Sequence, residues 1–298
     1  MLAPKVETKK ASSSSSSDAD ETEQPQPAQR SLASFNFKDY RSHALMFNLA
    51  KQTLSIFNPE SKTTEVLAVP DEIINGGYSL IGTKYGIVIS GKTNLDNNAA
   101  LMFNGESIAH LPQSLYNHSQ HGSVLFEDKL FLIAGFSEKR VESYNFSTDS
   151  WTAQPSLKKD RYDFAVVEHG SKIYVAGGIR GLNNSYSKKI EILEDDEWKM
   201  ADFDIGVKIK RFSLWPRKPG KFVLFGGQFD NGDMNSKVFH LNFDKEKCHE
   251  KENLPKISGS YADRFHGTGD SNCFIMKDEN ILAKYDSEER ELTLFNQT

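Results

Sequence analysis

The sequence predicts an all-β protein, a β-propeller of six small sheets preceded by a tail without fixed structure. Three observations predict it. Runs of about 4–8 β-branched and aromatic residues, bounded by Gly, Asn and Asp, fill the chain from residue 40 onward, the pattern of short antiparallel strands. One such run, closing on a glycine or a glycine doublet, recurs four times. A second landmark, an aromatic residue or Leu before a turn residue, recurs beside it. No stretch shows sustained helical periodicity.

The closing glycines are Gly91, Gly135, Gly178 and Gly227, with Gly177 and Gly226 completing the last two doublets. Their spacings are 44, 43 and 49 residues (135−91, 178−135, 227−178). The second landmarks are Phe57-Asn58, Phe103-Asn104, Tyr144-Asn145, Leu193-Glu194, Leu241-Asn242 and Tyr285-Asp286. Trp151 and Trp198 follow their landmarks by 7 and 5 residues. Self-similarity at this period, in strands alone, reads as a propeller or array. One unit cannot bury both faces of its sheet, so units stack, and a ring leaves only short, protected edges. Glycine at the end of the second strand lets the backbone turn and pack where a side chain would clash.

Glycine doublet, aromatic plus turn residue, then Trp resembles the kelch repeat, over roughly residues 40–298. The resemblance implies a kelch-type β-propeller. The last unit carries Lys277-Asp278 in place of the doublet and the first has none, so five blades plus an irregular closing unit stands as the alternative to six.

In chain order, residues 1–34 join a serine run, an acidic stretch and a Pro-Gln-Pro segment. They offer little apolar area to offset ordering entropy, which predicts disorder. The expected blades are 35–70, 71–112, 113–157, 158–202, 203–256 and 257–298. In the first, His43–Asn48, Thr53–Phe57 and Glu65–Val69 are strands, and Phe35–Phe37 is a candidate for a further strand fastening the ring. The second carries Tyr78–Ile81 and Ala100–Phe103, the third Ser123–Phe126 and Val141–Tyr144. The fourth holds Lys172–Ala176 and Lys189–Leu193, and its acidic turn Glu194–Glu197 reads as a solvated hairpin rather than a cation site. The fifth carries Phe212–Trp215 and Val238–Leu241, the sixth Cys273–Met276 and Ile281–Tyr285. All three tryptophans read as core.

Composition narrows the function. The formal net charge of −5 argues against nucleic-acid binding, which needs a basic face. No apolar run approaches the about 18 residues that span a bilayer, and no secretory signal is seen, so the expected location is cytoplasmic. Two cysteines, Cys248 and Cys273, make no disulfide framework. His118 and His121, with His110 nearby, lack the Cys or carboxylate that completes a metal set, so neither metal nor cofactor is expected.

The candidate partner-binding residues are Arg161, Arg211 and Arg264, spaced 50 and 53 apart near the repeat, with His118 at a comparable point and Arg180 just past Gly178. The spacing predicts one equivalent place per blade for the three arginines, on a loop at one face. A guanidinium fork suits carboxylates, phosphates and acidic peptides; the competing reading is that these side chains clasp loop carbonyls or neighbouring acids. The kelch resemblance implies a non-catalytic protein–protein interaction scaffold or adaptor whose partner is a protein, with an acidic peptide among the candidates. Many kelch proteins carry a BTB or F-box segment, for which this sequence leaves no room, and ligase-adaptor function is disfavoured. The alternative is a sugar mutarotase-like or other propeller enzyme using the channel mouth, for which Glu168, Arg161 and His118 are the candidate acid and base groups.

Overall fold

The computed structural model describes residues 38–48, 51–69, 76–92, 99–181 and 183–253, and the strand segments 266–267, 272–277, 280–286 and 291–294. The tail 1–34, the candidate strand Phe35–Phe37 and Arg264 lie outside these residues. Among the described residues every regular element is a strand.

The first sheet orders β1 (Ala44–Asn48), β2 (Thr53–Asn58) and β3 (Thr63–Ala68) side by side. The second contains β4 (Gly76–Thr83), β5 (Gly86–Lys92), β6 (Ala99–Phe103) and β7 (Ile108–His110). The third contains β8 (Gly122–Phe126), β9 (Lys129–Gly135), β10 (Glu138–Asn145) and β11 (Ser150–Gln154). In the fourth, β12 (Ala165–Glu168) and β13 (Ile173–Ala176) are followed by a small ribbon, β14 (Ile179–Arg180) and β15 (Ser185–Tyr186). The chain then returns to the fourth sheet as β16 (Lys189–Glu194) and β17 (Glu197–Asp204). Next come β18 (Ile209–Lys210), β19 (Ser213–Lys218), β20 (Lys221–Phe225), β21 (Gln228–Phe229), β22 (Lys237–Asn242) and β23 (Lys247–Asn253). The fifth sheet is β19-β20-β22-β23, while β18 pairs with β21. The sixth is β24 (His266–Gly267), β25 (Asn272–Lys277), β26 (Asn280–Asp286) and β27 (Glu291–Leu294).

All pairings are antiparallel, and the sheets form a β-propeller. Inner strands touch their neighbours in turn: β1 meets β4, β4 meets β8, β8 meets β12 and β12 meets β19. The first sheet also meets the last, β1 against β24.

The core lies between sheets, which explains why the second strand of each unit reads as an unbroken apolar run. Side chains alternate along a strand, so each such strand feeds two cores. In β9, Leu130 and Leu132 pack toward Val88 and Met102 of the second sheet, while Phe131 and Ile133 pack toward Ile173 and Val175 of the fourth. In β13, Ile173 and Val175 face back, and Tyr174 and Ala176 face forward to Leu214, Phe222 and Leu224. Shifting any of these strands by one residue would exchange its two sets of side chains.

The glycine doublets sit where the backbone leaves the second strand against the loop entering the first. Gly178 and Gly227 have φ of 80° and 87°, and a Cβ there would lie 2.6 Å from the carbonyls of Tyr162 and Lys210 respectively. Neither the left-handed backbone nor the space admits a larger residue. The recurrent tryptophans anchor the outer strand: Trp151 Nε1 donates to the Pro112 carbonyl at 2.7 Å and Trp198 Nε1 to that of Pro155 at 2.8 Å. The acidic turn closes the β16–β17 hairpin with Asp195 and Asp196 at φ of 51° and 58°, the two left-handed central residues that a tight hairpin needs.

Candidate interaction face

The loops entering the first strands join through the backbone into a chain of hydrogen bonds from sheet to sheet. Gln120 N donates to Gly77 O at 2.7 Å, Asp163 N to Gln120 O at 3.1 Å and Arg211 N to Asp163 O at 2.8 Å. All four residues are left-handed, with φ of 61°, 55°, 53° and 53°. Side chains reinforce the chain at Asp163, whose carboxylate accepts Arg211 Nε at 2.9 Å and Gln120 Nε2 at 3.5 Å. Gly77, Gln120, Asp163 and Arg211 are therefore equivalent positions.

This register corrects the expected equivalence of Arg161 with Arg211. Gly135 N donates to the carbonyl of Arg161 as Gly178 N does to that of Ile209. The residue that corresponds to Arg161 in the fifth unit is thus Ile209, two places before Arg211. Phe136 N meets Ser119 O as Ile179 N meets Tyr162 O, which makes His118 the counterpart of Arg161 in the third unit.

These three residues occupy equivalent buried slots, one in each unit. Arg161 and Glu191 are both 0% exposed. Arg161 Nη2 donates to Glu191 Oε1 at 2.6 Å, and Nη1 to the carbonyls of Gly177 at 3.1 Å and Lys189 at 2.9 Å. Glu191 also accepts the Lys158 amide at 2.6 Å. Burial draws the Arg161 guanidinium below its ordinary value, and Glu191 acts against that. His118, 2% exposed, stands 2.8 Å from the Ala134 carbonyl and 2.8 Å from Glu142, which also accepts the Leu115 and Tyr116 amides. In the fifth unit the slot is apolar, with Ile209 and Phe239 packed in one core. Arg161 and His118 are clasps inside the ring, and the expectation that they face a partner is corrected: their donors point at carbonyls and acids that water does not reach.

Less buried cations remain on the same loops. Arg211 is exposed, Arg180 is half-buried at the end of β14, and Lys210 stands over the Tyr186 ring at 5.9 Å. Beside them Phe136 is 47% exposed and meets the Tyr162 ring edge-on at 5.2 Å; the Tyr162 hydroxyl donates to Asn184 Oδ1 at 2.6 Å. The sequence reading missed Phe136, Tyr162, Tyr186 and Lys210. Phe136 had a signal, a large apolar residue directly after the closing Gly135, in a loop that has no core to enter.

The proposed catalytic set does not converge. Arg161 and His118 are committed to separate slots, and Glu168 sits at the far end of β12 from Asp163, lining a shallow cavity with Arg41, Lys84 and Asp128. Among the described residues no group of three or more His, Cys, Asp or Glu is placed to hold a metal ion. Among them, too, no helix is long and apolar enough to cross a membrane.

A family model described as the kelch motif matches residues 160–201, from the clasp loop through Trp198. Those residues of the chain therefore carry a kelch motif. It is similar to alpha-scruin of Limulus polyphemus, 26% identical over 114 residues, covering 37% of this chain and 12% of that protein. It is also similar to human (Homo sapiens) Kelch-like protein 42, 34% identical over 73 residues, covering 23% of this chain and 14% of the relative. Beta-scruin of Limulus polyphemus matches at 33% over 66 residues, 20% of this chain and 7% of the relative. The chain thus aligns with only a small part of each of these longer relatives. Among solved structures it resembles that of YjhT, with a TM-score of 0.52 and 15% identity, covering 64% of this chain and 69% of that one, a likeness of fold alone.

Proposed function

We propose that this kelch protein is a non-catalytic interaction platform that receives a protein or peptide on the loop face bearing Phe136, Tyr162, Arg180, Lys210 and Arg211. The observation that carries the reading is the division of labour among the cations. Those needed to hold the ring are buried and bonded to carbonyls and acids inside it, while Arg180, Lys210 and Arg211 stand on the same loops beside an exposed aromatic. A rigid ring displaying loops is suited to recognition. Arginine beside aromatic surface is the residue set that dominates protein interfaces. The charge of these side chains favours an acidic segment as partner. The separation of Glu168 from Arg161 and His118 favours this reading over a mutarotase-like one built on those three groups. We place the protein in the cytoplasm, with Cys248 a free thiol.

The test is affinity capture with immobilised wild type and the double variant Arg180→Glu/Arg211→Glu, with melting temperature measured on both. A partner held by the wild type and lost from an equally stable variant supports the reading. Equal capture by both overturns it.

A further inference from the structure

We propose that His118 is held as an imidazolium cation in the folded ring, so that the third sheet's clasp is a proton-dependent latch on the loop carrying Gln120. Both ring nitrogens face acceptors. Nδ1 lies 2.8 Å from the Ala134 carbonyl and Nε2 lies 2.8 Å from Glu142 Oε1. A neutral imidazole has one N–H and satisfies one of them; the imidazolium donates to both. Glu142 is an acceptor throughout, taking the Leu115 amide at 2.7 Å and the Tyr116 amide at 3.3 Å.

The repeat supplies a second, independent argument. The equivalent slot of the fourth unit holds Arg161, a permanent cation, against Glu191 and the Gly177 carbonyl, which correspond to Glu142 and the Ala134 carbonyl. The fifth unit has neither charge, only Ile209 and Phe239. Across these three units acid and cation occur together or not at all. His118 occupies the place of the arginine.

The surroundings fit one charge there. The Tyr116 ring stands 6.4 Å away and the His121 ring 5.4 Å away, with His121 Nε2 at 2.8 Å from Ser90 Oγ. A second imidazolium at His121 would oppose the first, and a hydroxyl needs none. Arg140 lies over the Tyr116 ring and pairs with Glu138, its charge also reaching Glu142. On the next loop Asp163 is engaged with Arg211 and Gln120, and Arg161 with Glu191.

The linkage has a definite sign. The folded ring binds a proton that the unfolded chain releases as pH rises past about 6.5, the value of a free imidazole. The latch therefore holds on the acid side and weakens on the alkaline side. Losing the proton leaves Glu142 buried without its cation and frees the segment 115–121, which carries Gln120 to its bonds with Gly77 and Asp163.

The experiment follows the full chain from pH 6 to 8.5 in wild type, His118→Arg and His121→Phe, the last matching Phe164 and Phe212 at the equivalent place. Imidazole ¹⁵N spectra of the wild type, assigned by the loss of signals in the two variants, should show both His118 nitrogens protonated at pH 6.5. Urea unfolding should give a folding constant that falls with rising pH by up to about tenfold per unit for the one linked proton. That slope should persist in His121→Phe and disappear in His118→Arg. Protection of the Leu115 and Tyr116 amides from hydrogen exchange should fall in the same range in the wild type alone. An unprotonated His118 nitrogen at pH 6.5 overturns the proposal, even should the variants fail to fold; so do parallel pH profiles in wild type and His118→Arg.

Discussion

Removing the Arg161 guanidinium leaves Glu191 without its cation and the Gly177 and Lys189 carbonyls without their donor, all inside the protein. Breaking such a buried pair costs about 3–5 kcal/mol, so Arg161→Ala should lose that much in urea unfolding. Replacing both partners differs, because no charge is left stranded. Arg161→Ile/Glu191→Phe copies the apolar slot of Ile209 and Phe239 and should recover a large part of the loss, short of the Lys158 amide and two carbonyls left unpaired. Arg211 lies at the opposite extreme. Its ion pair with Asp163 is about half exposed, 48% on the arginine side, and pairs of that kind contribute about 0–1 kcal/mol. The glycines divide in the same manner. Gly178→Ala forces a Cβ to 2.6 Å from a carbonyl, whereas Gly170, also left-handed at 61°, has nothing within 4 Å of that position. Gly170→Ala should cost about 1–2 kcal/mol of backbone strain alone, and Gly178→Ala distinctly more, compared by thermal unfolding.

At the scale of the element, Trp151 and Trp198 each tie an outer strand to the linker that enters its sheet. Trp198 is 1% exposed, and Trp198→Phe strands the Pro155 carbonyl, costing about 1–3 kcal/mol. Trp151, less buried, should cost less on the same change. Cys248 on β23 gives a chemical probe. Burial, aided by Asp204, pushes its thiol up to about 11, so at pH 8 the thiolate that alkylating reagents need is scarce in the folded state. Iodoacetamide labelling followed by mass spectrometry should be slow on native protein and fast in urea.

The strands, glycine doublets and tryptophans were legible in the sequence because each is fixed by a local rule: two-sided burial, a left-handed backbone, an indole N–H seeking a carbonyl. The clasp slot was half legible. His118 and Arg161 stand 43 residues apart, the undisturbed period, and were seen as comparable. Between Asp163 and Arg211 the period stretches to 48, after the eight-residue β17, and the near match of Arg211 to Arg161 at 50 hid the true partner, Ile209. Burial of Arg161 was invisible because Glu191 lies 30 residues downstream on a different strand.

At the scale of the whole molecule, the inner strands of the first five sheets touch in turn and the first also meets the sixth, and the bonded loops from Gly77 to Arg211 link four of the sheets at the mouth. Such a ring holds its face rigid, so a partner meets side chains already in place and little ordering entropy opposes binding. The account separates residues that hold the ring from residues that display on it. One comparison tests that separation most directly: melting temperature and partner capture measured together on Arg161→Ala and on Arg180→Glu/Arg211→Glu. The account predicts a large drop in melting temperature for the first, and for the second a small one, from the like charge set against Asp163, with capture lost. A stable Arg161→Ala, or a double variant that unfolds while still holding its partner at low temperature, would contradict it.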